Sequence, residues 1–252
     1  MSDHINLEIY RGDQEQGEMV KYQVPADPGM VVLDAVHKTQ ALHAPDLAVR
    51  WNCKAGKCGS CSAEVNGKPK LMCMERLDKY EPGETISIRP MKAFPIMRDL
   101  VCDVSWNYTV NKKIPPFKMA ETGDEDPRFS QEEADRVQEF RKCIECFLCQ
   151  NVCHVLREHD KHEVFGGPRF FVRAASLEMH PLDTENRLGL LKGELGLGYC
   201  NITKCCTEVC PEHIKITDNA IIPLKERVVD EFYDPVKKIV KTLFSIGGTA
   251  KK

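Results

Sequence analysis

The sequence lacks long apolar runs and any large excess of charge of one sign. No stretch approaches the roughly 18 uncharged apolar residues of a membrane-spanning helix, so we expect membrane contact only through a partner. The net charge of -3 provides no electrostatic footprint for nucleic acid, and this excludes that class of partner. With 252 residues, of which 42% are hydrophobic and 29% charged, the chain is long enough for about two globular domains.

The first residues also lack the features of a targeting segment. They contain no basic stretch followed by an apolar run, and they are not rich in Arg and Ser. We therefore expect a bacterial cytoplasmic protein or an already processed organellar one. In a reducing compartment the 13 cysteines are expected to bind metal rather than form disulfides.

The most cysteine-rich stretch lies between residues 143 and 153. Its cysteines have the spacing C-x2-C-x2-C-x3-C of bacterial iron–sulfur ferredoxins: Cys143, Cys146, Cys149 and Cys153. A second copy of the pattern runs from Cys200 to Cys210-Pro211, with Thr203 in one ligand position. In such pairs, the fourth cysteine of one run binds the cluster that the other run mainly holds.

This crossing rule predicts two different clusters. Four thiolates suit a [4Fe-4S] cluster: Cys143, Cys146, Cys149 and Cys210. Three remain for the other: Cys153, Cys200 and Cys206. Thr203 offers a hard, neutral oxygen where a soft thiolate would hold the fourth iron, so we expect a [3Fe-4S] cluster. Cys205 is the rival ligand, but we interpret it as a spare thiol because binding beside Cys206 would strain the backbone.

The first half of the chain predicts a small sheet crossed by one helix. Residues 5–11 alternate apolar and polar side chains as a half-buried strand does, and residues 20–24 can return beside them. Apolar residues on one helical face follow from Val32. Strand, strand and helix in this order form the beginning of a β-grasp fold.

The rest of this half predicts a hairpin, a strand and a helix. Residues 63–71 indicate a hairpin that turns at Asn66-Gly67, and residues 85–89 a closing strand. Apolar periodicity predicts a helix over residues 94–108. We interpret Cys102, alone on that helix, as a core residue without a ligand role.

Four cysteines after the first predicted helix have the plant-type [2Fe-2S] spacing C-x4-C-x2-C…C: Cys53, Cys58, Cys61 and Cys73. Gly56 and Gly59 would let this loop wrap closely around a cluster and direct backbone N–H groups at sulfur. A zinc site built from the same thiolates is the alternative, although zinc ribbons rarely combine this spacing with interleaved glycines.

The second half predicts mainly helices. Residues 130–133 form a capping box for a helix that ends near Cys143, and Gly167-Pro168 can begin another. A last helix begins near Thr217, with Pro223 kinking its first turns or delaying its start. Residues 111–127 are rich in Pro, Lys and acidic residues, which is typical of a linker or a surface-wrapping segment.

We therefore predict an α+β protein with two cluster-binding domains. Residues 1–107 would form a β-grasp [2Fe-2S] ferredoxin-like domain, and residues 108–128 a linker. Residues 129–240 would form an all-α dicluster ferredoxin-like domain with the [4Fe-4S] and [3Fe-4S] clusters. Residues 241–252 would be a flexible tail.

This arrangement resembles the iron–sulfur subunit of succinate dehydrogenase and fumarate reductase over residues 5 to about 233. The eleven cysteines assigned above carry the resemblance, and Arg98-Asp99-Leu100 and Gly167-Pro168 look like further family landmarks. It implies single-electron transfer from FAD on a flavoprotein subunit, through the [2Fe-2S], [4Fe-4S] and [3Fe-4S] clusters, to a quinone. It also implies membrane-anchor subunits, with any haem, and a peripheral position on the cytoplasmic face of the inner membrane.

The sequence departs from well-studied ubiquinone-reducing relatives near the third cluster. Where those have Pro, Trp and His, this chain has His154, Glu158 and Asn201. The departure indicates a differently built quinone pocket of a menaquinone-type or otherwise divergent branch. His154 and Asn201 are candidates for the quinone vicinity, and His154 also suits a plain surface or interface position. A free-standing multi-cluster ferredoxin and a heterodisulfide-reductase-like subunit, the latter suggested by Cys205-Cys206, are the alternative functions.

Overall fold

The computed structural model describes residues 4–119, 121 and 126–235. Its strands are β1 His4–Gly12, β2 Gly17–Pro25, β3 Ser62–Val65, β4 Lys68–Leu71, β5 Thr85–Arg89, β6 Ile96–Arg98 and β7 Val101–Cys102. Its α-helices are α1 Val32–Leu42, α2 Ser105–Lys113, α3 Gln131–Gln138, α4 Leu148–Val152, α5 His154–Arg157, α6 Pro168–Glu178, α7 Leu188–Lys192, α8 Cys205–Glu208 and α9 Ile222–Phe232. Short 3-10 helices cover Leu77–Lys79, Glu139–Lys142 and Leu197–Tyr199, and a π-helix covers Ile216–Ile221.

The first half is a mixed sheet with the strand order β2-β1-β5-β3-β4. β1 pairs antiparallel with β2 and parallel with β5, while β3 pairs antiparallel with β4 and β5. Helix α1 contributes Val32, Leu33 and Val36 to the core beneath the sheet. The predicted β-grasp arrangement is confirmed, because the alternating strands and the helical face bury their apolar residues together.

The predicted helix over residues 94–108 is wrong. β6 and β7 form a small antiparallel pair there, and helix α2 begins only at Ser105. Between the two strands, Asp99 has a left-handed φ of +48°, which interrupts a helix. Its buried carboxylate accepts hydrogen bonds from the N–H of Gly12 at 2.9 Å and of Ala48 at 2.8 Å. These tertiary bonds override the local periodicity.

The second half is mainly helical, as predicted. Ser130 caps the start of helix α3: the Glu133 N–H donates to Ser130 Oγ at 3.2 Å, and the Ser130 N–H donates to the Glu133 carboxylate at 2.8 Å. Helix α6 begins with Pro168 directly after Gly167. Pro223 lies in the first turn of α9, directly after the π-helix, so the regular α-helix begins at Ile222 rather than near Thr217.

A buried polar network joins the two halves. The Glu64 carboxylate on β3 accepts hydrogen bonds from both Nη atoms of Arg157, and from Asn151 Nδ2 at 2.9 Å. Asn151 in turn accepts the N–H of Ala93 at 3.0 Å. Because each buried polar group has a partner, the network fixes how the halves meet.

The segment after α2 lies against the helical half. The guanidinium of Arg187, which is fully buried, donates to the carbonyls of Pro115 at 3.0 Å and Pro116 at 2.7 Å. Asp183 accepts from the same guanidinium at 2.9 Å and from the N–H of Lys118 at 3.3 Å. This part of the segment therefore wraps the surface of the helical half and is held there by hydrogen bonds, unlike a free linker between domains.

The predicted domain limits stay a prediction. Helix α2 runs across the proposed boundary after residue 107, while residues 236–240 and the predicted tail 241–252 lie outside the described residues. Within the described ranges, no helix has the length and apolar character needed to cross a membrane.

Candidate iron–sulfur cluster sites

The cysteines predicted to bind clusters lie in three groups. We call them the first, middle and third sites. The first site has Cys53, Cys58, Cys61 and Cys73. The middle site has Cys143, Cys146, Cys149 and Cys210. The third site has Cys153, Cys200 and Cys206. Neighbouring thiols affect one another electrostatically within each group, so residues far apart in sequence are neighbours in space. Their assignment as ligands stays a prediction.

The first site lies in the loop between α1 and β3 and in the turn after β4. The N–H groups of Ala55 and Lys57 each donate to Cys53 Sγ at 3.3 Å. Gly56 lies between them with a φ of +68°, a conformation that favours glycine. This loop therefore directs backbone donors at sulfur, as the glycine pattern predicts.

Two thiols of the first site have shifted pKa values of opposite sign. Burial, followed by the thiols of Cys73 and Cys58, raises the pKa of Cys61 to about 12. Burial also opposes ionisation of Cys58, but hydrogen bonds from Cys53 and Ser60 outweigh it and lower the pKa of Cys58 to about 6. The loop thus stabilises negative charge on its partly exposed side, next to where iron would bind.

The middle site lies in a tight loop before α4. Glu145 and Phe147 have left-handed backbones there, with φ of 56° and 61°. The four cysteines of the site line one cavity, together with Ile144, Phe147, Arg169, Val172, Pro211, Glu212, Ile214 and Ile216. These two left-handed residues turn the backbone sharply around this cavity.

Burial dominates the acid–base behaviour of the middle site. It raises the pKa of Cys149 well above its usual value and that of Cys146 to about 12, and the surrounding thiols add to both shifts. A cluster needs these thiols as thiolates, so its binding must release their protons. Iron would supply the positive charge that makes buried thiolates stable.

The first and middle sites are in direct contact. A Cβ added to Gly59 would lie 2.5 Å from Cys146 Cα. Ser62 Oγ donates to the Cys146 carbonyl at 2.8 Å and lies 2.9 Å from the Gly59 carbonyl. Gly59 thus has a second role beyond the loop conformation that its sequence context predicts, since it lets two cysteine loops touch.

The third site shares short helices with the middle site. Helix α4 carries Cys149 and is followed directly by Cys153, while α8 carries Cys206 and ends just before Cys210. Burial, together with neighbouring thiols, raises the pKa of Cys153 to about 11 and that of Cys206 to about 12. The short spacings within the two runs therefore place the middle and third sites side by side.

Thr203 and Cys205 lie at the edge of the third site. Thr203 Oγ1 is 3.3 Å from Cys205 Sγ, and that sulfur is 3.7 Å from the Val152 carbonyl. The Cys205 thiol also contributes to the raised pKa of both Cys153 and Cys206. Cys205 is thus near enough to the third site to stay a rival ligand.

The two residues predicted near a quinone lie beside the third site. His154 is half-buried at the start of α5, with its ring 6.4 Å from that of His159, and Asn201 is exposed directly after Cys200. Tyr199 and Ile202 are exposed on the same loop. An open pocket adjoins this surface, lined by Ile202, Ile222, Lys225, Glu226, Val229 and Asp230.

The residues at these sites fit iron–sulfur clusters. In the middle site, the buried Nε of Arg169 has no hydrogen-bond partner within the protein, and an acceptor in the cavity would satisfy it. Within the described residues, no three His, Cys, Asp or Glu side chains are close enough to hold a single metal ion.

Arg169, Ser62 and Glu64 are residues near the sites that the sequence patterns do not reveal. None belongs to a cysteine motif, and each acts on a residue far away in the chain. Gly167-Pro168 gives a partial signal, since it marks the start of the helix that carries Arg169. Cys102 is buried against the Met91 carbonyl, as its interpretation as a core residue predicts.

Two family models match the two halves. A model described as a 2Fe-2S iron-sulfur cluster binding domain matches residues 6–109. One described as a 4Fe-4S dicluster domain matches residues 139–214. The fold and the cysteine groups define this chain as a multi-cluster iron–sulfur protein.

Similar proteins show which family of multi-cluster iron–sulfur proteins this chain belongs to. The fumarate reductase iron-sulfur subunit of Haemophilus influenzae is 32% identical over 83% of this chain and 88% of its own length. That of Mycobacterium tuberculosis is 30% identical over 85% and 89%. A chain in the solved structure titled "Mycobacterium smegmatis Sdh1 complex in the apo form" is 57% identical, with a TM-score of 0.90 over 94% of this chain and all of that one. The protein belongs to the family of fumarate reductase and succinate dehydrogenase iron–sulfur subunits.

Proposed function

We propose that this chain is the electron-transfer iron–sulfur subunit of a membrane-bound succinate:quinone oxidoreductase. It would relay electrons one at a time between FAD on a flavoprotein subunit and a quinone in the membrane. In this proposal the chain converts no substrate itself, and its part in catalysis is to connect two partners.

The observation that carries this proposal is the continuous row of cysteine sites. Gly59 and Cys146 join the first site to the middle one, and α4 and α8 join the middle site to the third. Because neighbouring sites are adjacent, an electron could move from one cluster to the next inside the protein. A row of three sites therefore suits a chain that lies between an electron donor and an acceptor.

The cofactors follow from the ligand sets. We assign [2Fe-2S] to the first site, [4Fe-4S] to the middle site and [3Fe-4S] to the third site. Such clusters accept and release single electrons. The protein's own residues hold the thiolates, donate N–H groups to sulfur and exclude water from the buried thiols. FAD, haem and quinone would belong to partner subunits.

The two ends of the row face different partners in this proposal. The sheet half with the first site faces the flavoprotein. The third site faces the anchor subunits, with Tyr199, Ile202 and Val229 as exposed apolar residues on that side. This orientation would hold the chain peripherally on the cytoplasmic face of the inner membrane. His154 and Asn201 would lie near the quinone.

Iron content, spectroscopy and co-purification test the proposal. The assigned clusters predict about nine irons per chain and three distinct paramagnetic signals. A [4Fe-4S] cluster at the third site as well as at the middle site would predict about ten irons. The chain should co-purify with a flavin-containing subunit and an anchor. A soluble monomer without flavin would favour a free-standing ferredoxin, and bound zinc without visible absorbance would contradict the cluster assignment.

A further inference from the structure

We infer that Arg169 raises the reduction potential of the cluster at the middle site, and so sets how readily an electron crosses the centre of the row. The inference rests on the proposed function, because it requires a [4Fe-4S] cluster among Cys143, Cys146, Cys149 and Cys210. It concerns a residue outside every cysteine motif.

Arg169 is a buried cation on the wall of the four-thiol cavity. Its side chain is only 7% exposed, and among the described residues that line the cavity it is the single cation. Its Nη2 pairs with the Glu145 carboxylate, and its guanidinium carbon lies 5.6 Å from the centre of the Phe170 ring. Its Nε is buried without a partner in the protein. An uncompensated donor at this wall is suited to an acceptor inside the cavity.

The backbone holds Arg169 in place. Its N–H donates to Gln150 Oε1 at 3.3 Å, and Gln150 belongs to α4, the helix that carries Cys149. Gly167 permits this approach, because a Cβ there would lie 2.2 Å from Gln150 Oε1. The start of α6 is thereby fixed against the cysteine-bearing helix, so the position of the charge is set by two elements.

The nearby carboxylates do not cancel this charge. Glu145 is 51% exposed, so water screens its charge much more than that of Arg169. Glu212 also lines the cavity, with its side chain 17% exposed, and Lys57 Nζ, on a 70% exposed side chain, pairs with it at 3.0 Å. The charge least screened from the cavity is therefore the guanidinium.

The charge of Arg169 affects the middle cluster because reduction changes the charge of that cluster. One electron arrives from the first site and one leaves to the third, so the middle site is one unit more negative while it holds the electron. A fixed cation in a low-dielectric environment stabilises the more negative state. Removing the cation should thus make reduction harder, without changing the ligands.

The test measures reduction potentials in the purified complex with all clusters present. In a redox titration followed by electron paramagnetic resonance, Arg169→Gln should disfavour reduction of the middle cluster at least tenfold, which equals a potential about 59 mV lower for one electron. Arg173→Gln is the matched control, since it removes the same charge from an exposed position one turn along α6. The control should change the potential less than threefold, and Arg169→Lys should stay close to the unsubstituted protein.

Equal shifts in Arg169→Gln and Arg173→Gln, or no shift in either, would overturn the inference. If Arg169→Gln loses the middle cluster, Arg169→Lys decides: a retained cluster at the original potential supports the inference. The inference would be overturned if both Arg169 variants lost the cluster, or if the Lys variant had a lowered potential. Either result would assign the Arg169 side chain a structural role. Absence of a [4Fe-4S] signal from the unsubstituted complex would instead refute the proposed function.

Discussion

Gly59 and Cys146 bring the loops of two cysteine sites within backbone contact of each other. The distance from a Cβ added at residue 59 would be 2.5 Å to Cys146 Cα and 2.9 Å to its nitrogen. These atoms are backbone, so no side-chain rotation could relieve the clash. The absence of a side chain at Gly59 is what permits the two loops to approach each other this closely.

Replacing Gly59 by Ala should weaken this contact. We expect a lower melting temperature of the complex and slower reduction of the middle cluster, measured by rapid-freeze spectroscopy. Gly67→Ala is the control, because Gly67 has a similar φ of +73° but nothing within 4 Å of the added Cβ. The control should cost only the backbone strain of about 1–2 kcal/mol. Equal effects of both substitutions would show that the contact itself contributes nothing.

The Glu64–Arg157 pair should stabilise the junction between the halves. Glu64→Gln removes the buried charge partner of Arg157 and leaves it only the exposed Glu158 carboxylate, 3.1 Å from its Nε, so we expect the free energy of unfolding to fall by about 3 kcal/mol. Chemical denaturation of the iron-loaded chain measures this loss. Arg76→Met, which removes the exposed pair with Asp78 outside this network, is the control and should cost much less. A similar loss in both variants would contradict the prediction.

Cys205 and Cys206 should differ in their contribution to the third site. Cys205→Ala should retain the oxidised [3Fe-4S] signal, whereas Cys206→Ala should lose it together with iron. The physical reason is that Cys206 is buried among Cys153 and Cys200, while Cys205 is only half-buried and lies beside Thr203. Loss of the signal from the Cys205 variant would make that residue a ligand.

Removal of iron should unfold the helical half before the sheet half. Six of the seven cysteines of the middle and third sites belong to the helical core or pack against it, and burial raises the pKa of several of them, whereas Cys146 belongs to the core of the sheet half. The sheet half has a separate core that includes Leu7, Ile9 and Val36. We expect an iron chelator to reduce the helical circular dichroism while amide hydrogens of β1 and β5 stay protected. Simultaneous loss of both would show that the halves unfold as one unit.

Local patterns predict much of the fold. The alternation in β1 and β2, the helical face of α1 and the capping box at Ser130 all describe neighbours in sequence, and the structure contains each element. The apolar periodicity of residues 94–108 predicts a helix that the structure lacks, because the Asp99 carboxylate accepts hydrogen bonds from the backbone of Gly12 and Ala48. A residue 87 positions away is invisible to a local periodicity.

The sequence by itself determined the class of protein and the candidate ligands, because thiolates that bind one cluster recur at short, characteristic spacings. Only the tertiary structure decided which other groups meet those sites. Glu64 and Arg157 are 93 residues apart, and Ser62 and Cys146 are 84 residues apart, yet each pair is hydrogen-bonded. Arg169 likewise reaches the middle site only because α6 packs on α4. Charge and close approach act through space, so these contributions appear only once the chain has folded.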